Sequence, residues 1–197
     1  MLKKIMKETD YYPFIYLQFE KYLIEEFGSK YRFSKSIGSK LLNKMFDELQ
    51  CDLSISLTDQ YVPPLETDLA IGFKDESSNS GVFLLEVKKS KPLSLKDYSQ
   101  LVGYIQTARV IKIGLLVLVN DSAGISPLST DFQSLIANGQ VSFNWSSIDK
   151  STGHFTNYVT GICVYSPGGR IEWVNTGRLS GISSWNDLKR ELIKLDP

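Results

Sequence analysis

Apolar and polar positions recur with a helical period in some segments and alternate with a strand period in others. Residues 12–27 carry apolar side chains at helical spacing and predict a helix, with Pro13 in the first turn, where a missing N–H does no harm. A second helix is predicted over 39–50. The alternation of apolar and polar residues over 52–59 then predicts a half-buried strand.

Two apolar runs, 68–73 and 81–88, flank a polar turn and predict a β-hairpin. Ser94 and Asp97 have the spacing of a capping box and predict the start of the next helix. The run 113–120 is apolar without alternation, as in a central strand that is covered on both faces. The order is therefore helix, three strands, helix and strand, and it predicts an α/β fold with a mixed central β-sheet flanked by helices.

The C-terminal third predicts further strands and two helices. A short helix is predicted over 131–137, and Ser184 with Asp187 predicts a C-terminal helix that runs to about residue 195. Strands are predicted over 141–147, 157–165 and 170–175. We interpret residues 1–197 as one domain, with a core over about 12–120 and a β-rich C-terminal extension over about 121–197.

Composition narrows the possible functions. Lys+Arg and Asp+Glu number 22 each, so no overall charge draws the protein onto nucleic acid or membrane, and any phosphate binding must be local. Cys51 and Cys163 lie far apart, which argues against a zinc ribbon or an iron–sulfur cluster, and we interpret both as buried reduced thiols. With no signal or membrane-spanning run, we expect a cytoplasmic protein. The single histidine, His154, disfavours histidine–metal nucleases and serine triads.

The predicted hairpin brings two carboxylates together. If its turn is symmetric about Ser77, Asp68 lies opposite Glu86, with their Cβ atoms about 4.5–5.5 Å apart. Such a pair repels unless it shares a proton or binds a divalent cation, and Mg²⁺ prefers oxygen ligands. Lys88 projects from the same strand face as Glu86, where it could orient a water or stabilise charge on a phosphate. These are the parts that metal-assisted phosphodiester hydrolysis needs.

A structural alternative stays open for the same residues. The register also places Glu66 opposite Lys88, so that part of the arrangement would be a surface salt-bridge ladder. Such pairs contribute at most ~1 kcal/mol each to stability. A Glu-x-Lys spacing by itself is common on amphipathic strands.

The segment TDLAIGF…GVFLLEVKK resembles the Asp…Glu-x-Lys motif of the PD-(D/E)XK nuclease superfamily, which has the restriction-endonuclease-like fold and an αβββαβ core. The resemblance implies that Asp68 and Glu86 bind Mg²⁺ or Mn²⁺ together with the backbone carbonyl of Val87. It also implies that Lys88 is the catalytic partner. Thr67 stands where the superfamily motif has proline.

A second motif, Gln100-Leu-Val-Gly-Tyr104, resembles the Gln-x3-Tyr motif of the RecB-like branch. In that branch the two side chains help to position DNA and the catalytic centre, and the resemblance implies this role for Gln100 and Tyr104. Positions i and i+4 share one helix face, although a surface glutamine and a core tyrosine are the ordinary interpretation of this spacing. Gly103 within this helix costs about 1 kcal/mol relative to alanine and indicates a close approach to its backbone.

Further candidates are more loosely placed. The first helix of the superfamily often carries another acidic ligand, and Glu20 is the candidate here, with Glu25, Glu26, Asp47 and Glu48 as rivals. Candidate phosphate contacts next to the motif are Lys89, Lys91 and Lys96. Aromatic residues that would either stack on bases or fill the core are Trp145, Tyr158, Tyr165 and Trp173.

The resulting hypothesis is a Mg²⁺- or Mn²⁺-dependent DNA nuclease. Its expected partner is DNA. A homodimer is left open as well, since the C-terminal strands would either form a dimer interface or carry substrate-specific loops. The alternative is a catalytically inactive nuclease-fold protein that acts as a nucleic-acid-binding or protein-interaction module. Strandedness, polarity and sequence preference of the substrate are open at this point.

Overall fold

The structure of the protein is a computed structural model. It describes residues 6–55, 62, 64–78, 80–89, 91–108, 111–120, 126–148, 153, 155–166, 168–176 and 181–194. The helices are α1 (Tyr12–Phe27), α2 (Leu42–Leu53), α3 (Leu95–Thr107), α4 (Thr130–Ala137) and α5 (Trp185–Ile193). The strands are β1 (Tyr31–Leu41), β2 (Glu66–Asp75), β3 (Ser80–Lys89), β4 (Ile111–Val119), β5 (Asn144–Ile148), β6 (Phe155–Ser166) and β7 (Arg170–Trp173). Short 3-10 turns over Glu8–Tyr11 and Gly28–Lys30 flank α1.

The strands form one mixed sheet of seven in the described part of the chain, in the order β1-β2-β3-β4-β6-β5, with β7 also paired to β6. β1, β2 and β3 are antiparallel neighbours, whereas β3, β4 and β6 run parallel. The predicted α/β class with a mixed sheet is confirmed. The predicted crossover from β3 through α3 to a parallel β4 is present.

Both faces of the sheet are covered by helices. One face packs on α1 and α5, and alternate residues of β2 and β3, such as Leu69 and Leu85, belong to that core. The other face packs on α2, α3 and α4, and includes Leu84. Burial on both faces explains why β4 is apolar without alternation.

Helix α3 packs on β4 at Gly114, where the missing side chain makes room for Ile105. A Cβ added at Gly114 would lie 2.3 Å from the Ile105 Cδ1 atom of α3, so no larger residue fits there without movement. This contact fixes the distance between α3 and the sheet, and with it the height of the α3 side chains above β3.

The strand predicted over 52–59 is wrong for residues 52–55, and residues 56–59 lie outside the described residues. Residues 52–53 end α2 instead of starting a strand, and Ser54 terminates the helix in a left-handed conformation with φ of 50°. Leu53 completes the helical stripe that includes Leu49, which the strand alternation obscured. The first strand is β1, an edge strand whose serines and lysines hide its alternation.

Other sequence predictions agree with the described residues. The hairpin has the predicted register, because Leu69 pairs with Leu85 and Ile71 with Phe83. The predicted capping box at Ser94 with Asp97 is present. At the start of α5, Ser184 Oγ accepts from the Asp187 N–H as predicted, but the Asp187 carboxylate accepts from the Ser183 backbone N–H instead of that of Ser184, so the box is not completed there. α4 and the three C-terminal strands lie within two or three residues of their predicted positions.

Three further predictions concern the cysteines, the histidine and membrane-spanning segments. Cys163 is buried in β6, but Cys51 is exposed on α2, so the expectation of two buried thiols was wrong for Cys51. His154 lies outside the described residues. Among the helices that the structure describes, none combines the length and apolar character that crossing a bilayer requires.

Candidate metal centre

The two predicted carboxylates lie where β2 and β3 separate. The last pair of their ladder is Leu69 with Leu85, after which β2 follows β1 and β3 follows β4. One more step in the same register would pair Asp68 with Glu86. We call this opening, bounded by Asp68 and Glu86, the β2–β3 fork.

Asp68 is anchored in the fork by two hydrogen bonds. Its side chain is buried, and the Tyr12 hydroxyl donates to Oδ1 at 2.6 Å while the Val87 backbone N–H donates to Oδ2 at 2.8 Å. Burial, together with the bond to Asp68, raises the pKa of Tyr12, so that this hydroxyl keeps its proton and remains a donor. Each carboxylate oxygen accepts one bond and retains a second acceptor position.

Glu86 is 2% exposed, and its two oxygens have different surroundings. Oε1 accepts hydrogen bonds from Lys88 Nζ at 2.6 Å and from Gln100 Nε2 at 2.8 Å. Oε2 is buried and has no hydrogen-bond partner among the described residues. Burial, and then the charge of Asp68, raises the pKa of Glu86 to about 7, although Lys88 opposes the shift.

Lys88 stays positively charged beside these carboxylates. Burial disfavours its ammonium form, but the hydrogen bond to Glu86 and the charges of Glu86 and Asp68 outweigh burial and raise its pKa. Glu66, by contrast, is exposed and pairs in the sheet with Leu41 of β1. Between the described residues Glu66 and Lys88 there is no ion pair, so the salt-bridge ladder is not formed.

Gln100 and Tyr104 reach the fork from α3. Gln100 Nε2 donates both to Glu86 and to the Tyr104 hydroxyl, the latter at 2.6 Å. The capping box at Ser94 fixes where α3 begins, and therefore which helix face carries these two residues. Gln100 is exposed and Tyr104 is half-buried, so one end of this pair contacts Glu86 and the other faces solvent.

Glu8 is a third carboxylate at the fork, which the sequence analysis missed. Burial, followed by the charge of Asp68, raises the pKa of Glu8, while Lys88 and a hydrogen bond from the Lys89 backbone lower it. Glu8 belongs to the 3-10 turn before α1 and precedes Tyr12 by four residues. Extending the helical face of Tyr12 towards the N-terminus by one turn would have identified it.

Glu20 and its rivals lie elsewhere. Glu20 accepts a hydrogen bond from Tyr16 at 2.7 Å and is eight residues beyond Tyr12, about 12 Å further along α1. The rivals Glu25, Glu26, Asp47 and Glu48 form ion pairs with Lys21, Lys189, Lys44 and Lys40, respectively. No described contact supports the prediction that one of these five joins the metal centre, whereas Glu8 interacts electrostatically with Asp68 and Lys88.

The candidate phosphate contacts differ in availability. Lys89 Nζ donates to the Met6 backbone carbonyl at 2.8 Å and lies 5.7 Å from the centre of the Tyr11 ring, so it is engaged with the N-terminal segment. Lys91 is exposed and lies 3.4 Å from Asp97. Lys96 is exposed on α3. The geometry therefore leaves Lys91 and Lys96 better placed than Lys89 to meet a phosphate.

The fork fits a hard divalent cation of the magnesium class. Within the described ranges, no group of three or more His, Cys, Asp or Glu side chains could hold a metal ion. Mg²⁺ does not need such a cage, since it is commonly bound by one or two carboxylates with water and substrate oxygens. The unpartnered Oε2 of Glu86 and the carboxylate of Asp68 are oxygen atoms that could act as ligands of this kind.

Comparison with known proteins does not assign the chain to a family. No family model matches the sequence, and a search of curated proteins found no significant match. The functional interpretation therefore depends on the geometry of the fork.

Proposed function

We propose that the protein is a Mg²⁺- or Mn²⁺-dependent DNA nuclease of the PD-(D/E)XK type, similar to the RecB-like branch. The observation that carries this proposal is the buried, unpartnered Oε2 of Glu86 beside the carboxylate of Asp68. A buried acceptor without a partner costs about 1–3 kcal/mol of stability. A cation bound to this oxygen would remove that cost, and this favours a metal-binding role.

Asp68 and Glu86 would bind the ion, and the resemblance adds the Val87 backbone carbonyl as a third oxygen. A bound divalent ion lowers the pKa of a coordinated water and stabilises negative charge on a phosphate. Tyr12 and the Val87 N–H hold Asp68 in one orientation for this purpose.

Lys88 and Gln100 would act on the substrate side. The Lys88 ammonium, 2.6 Å from Glu86 Oε1, lies beside the carboxylate pair, where it can hold an attacking water or offset charge on the phosphate. Gln100 orients Glu86 and is itself held by Tyr104. Gln100 and Tyr104 are therefore positioning residues, with Gln100 exposed enough to contact the DNA backbone.

One observation favours the inactive module as a second candidate. The Lys88–Glu86 ion pair neutralises one carboxylate without any metal, so the fork retains partial charge compensation on its own. A binding module that never uses the fork would keep this pair permanently.

A cleavage assay separates the two candidates. Purified protein is incubated with single- and double-stranded DNA in EDTA, Mg²⁺ or Mn²⁺, beside Glu86→Gln and Asp68→Asn variants that preserve side-chain shape. We expect cleavage that requires the metal and is lost in both variants, since an amide is a poor ligand for a hard cation.

The matched control is Glu66→Gln, which removes an exposed carboxylate from the same strand two residues before Asp68. This variant should cleave like the unchanged protein. Metal-independent DNA binding without cleavage, unaffected by Glu86→Gln, would instead establish the module.

A further inference from the structure

A groove runs along the outer face of α3 beside β5. It consists of two adjoining depressions of about 470 and 400 Å³, which share Gln106 and Trp145 as lining residues. The polar residues that line it include Ser99, Gln106, Gln140, Ser142, Ser146 and Ser147. No charged side chain belongs to its described lining, so the groove itself neither repels nor attracts a polyanion through fixed charge.

Gly103 joins this groove to the metal centre. At about 100° per residue, Gly103 lies about 60° from Gln100 around the helix axis and about 40° from Ser99, on the side between them. Gln100 contacts Glu86, whereas Ser99 and Gly103 line the groove. A Cβ at Gly103 would meet no heavy atom of the described residues within 4 Å, apart from its chain neighbours and the backbone of α3 itself.

The mid-helix glycine predicts that some group approaches the Gly103 backbone closely, and no described part of the protein does so. The glycine is costly in a helix and relieves no internal clash. The missing side chain therefore leaves the surface of α3 low at this position, which we call the crossing. The crossing lies between Gln100, which contacts Glu86, and the residues that line the groove.

Trp145 offers a stacking surface at the far side of this crossing. Its ring stacks on that of Tyr158, with centroids 5.6 Å apart and an interplanar angle of 17°. Tyr158 is buried, whereas Trp145 is only partly buried and lines both depressions. The buried tyrosine holds the tryptophan ring in one orientation, as a base-stacking platform requires.

We propose that a single strand of DNA crosses α3 at Gly103 and enters this groove, with one unpaired base stacked on Trp145. This inference rests on the proposed nuclease function, because it places the scissile phosphate at the β2–β3 fork. A single strand is favoured over a duplex because only an unpaired base exposes a ring face for stacking. The hydroxyls and amides of the lining suit sugar and phosphate oxygens without sequence readout.

The test measures binding of fluorescein-labelled oligodeoxynucleotides by anisotropy in EDTA, so that cleavage does not interfere. Trp145→Ala should weaken single-strand binding by roughly 5- to 150-fold, the range expected for loss of one stacked base. Trp145→Phe, which keeps an aromatic face, should retain most of the affinity. Bound strand should also quench the fluorescence of Trp145, and this quenching should disappear in Trp145→Phe.

Gly103→Gln tests the crossing independently. Glutamine is a good helix former with open space at this site, so the variant should melt at a higher temperature and yet bind the single strand several-fold more weakly. A merely structural glycine would not give this combination. The control Ile193→Gln places the same side chain at an exposed position of α5, on the opposite face of the sheet, and should leave binding unchanged.

The outcomes distinguish the groove from the nuclease. Equal affinity of all variants, or weakening by Trp145→Ala alone without an effect of Gly103→Gln, overturns the path over α3. If cleavage requires metal but its KM is unchanged by Trp145→Ala and Gly103→Gln, the proposed nuclease function stands and the proposed binding groove is wrong. Binding that depends on both residues, with no cleavage in any metal, keeps the groove and overturns the nuclease. Tighter binding of duplex DNA or of RNA than of single-stranded DNA, titrated under the same conditions, also overturns the groove proposal.

Discussion

At the scale of single residues, the β2–β3 fork holds more negative than positive charge. Asp68, Glu86 and Glu8 act on one another electrostatically, Lys88 acts on all three, and Lys91 acts on Glu8. Burial makes the repulsion among the three carboxylates stronger, because it weakens the screening that water gives at a surface. A divalent cation would supply further positive charge, and this is the physical argument for the proposed function.

Glu86 makes the stability of the metal-free protein depend on pH. Its pKa is raised from 4.5 to about 7 by burial and by Asp68, so between these values the folded state binds a proton that the unfolded state has released. Stability from this group is fully present below about pH 4.5 and is lost as the pH rises through 7. The loss amounts to about 3 kcal/mol at most.

Glu86→Gln removes this titration while keeping an oxygen that accepts from Lys88 and Gln100. We expect the variant to be more stable than the unchanged protein at pH 8 in EDTA, and the difference to shrink towards pH 4.5. Urea unfolding between pH 4.5 and 8 measures both curves. Parallel curves for the two proteins would contradict the assignment of the buried charge to Glu86.

Glu8 and Glu20 give a matched pair of substitutions on one segment. Because Glu8 lies at the fork and Glu20 bonds to Tyr16, Glu8→Gln should lower metal-dependent cleavage or Mn²⁺ affinity by about 10- to 100-fold. Glu20→Gln should leave both unchanged. Isothermal titration with Mn²⁺, together with initial cleavage rates, measures the difference, and equal effects would remove Glu8 from the site.

At the scale of elements, α3 connects the fold to the fork. Ser94 Oγ and Asp97 form its N-terminal capping box, and the close packing of Ile105 on Gly114 sets its distance from β4. The position of Gln100 against Glu86 depends on both contacts.

Two serine caps allow stability to be separated from function. Ser94→Ala and Ser184→Ala remove the same type of cap from α3 and α5, and each should cost about 1 kcal/mol of stability. Only Ser94→Ala should also reduce the cleavage rate, because α3 carries Gln100 and α5 contributes no residue to the fork. Chemical denaturation and cleavage assays on both variants measure this, and an equal loss of activity would show that the effect is global destabilisation.

The elements also show where sequence patterns suffice. α1 has its predicted bounds, and the N-cap serines Ser94 and Ser184 begin α3 and α5 as predicted, because caps and helical stripes are local properties. β1 was missed because an edge strand needs little apolar character, and its partner β2 comes 25 residues after its end. Its pairing is a tertiary contact that no local window contains.

At the scale of the whole molecule, the fork exists because neighbouring strands have different partners. β2 is held by β1 on one side and β3 by β4 on the other, so the hairpin opens where those pairings diverge. α1 and its preceding turn pack on one face of the sheet and bring Tyr12 and Glu8 to the opening. α3 packs on the opposite face and brings Gln100. The candidate site is thus assembled from four separate parts of the chain.

The sequence by itself determined the hairpin register, the capped start of α3 and hence the meeting of Asp68, Glu86, Lys88 and Gln100, because each follows from strand alternation or helical period over short distances. The tertiary structure decided which oxygen of Glu86 lacks a partner, that Glu8 rather than Glu20 lies beside Asp68, and that Gly103 faces an open groove. Those features depend on how packed layers meet across the sheet, and such contacts join residues whose separation along the chain carries no periodic signal.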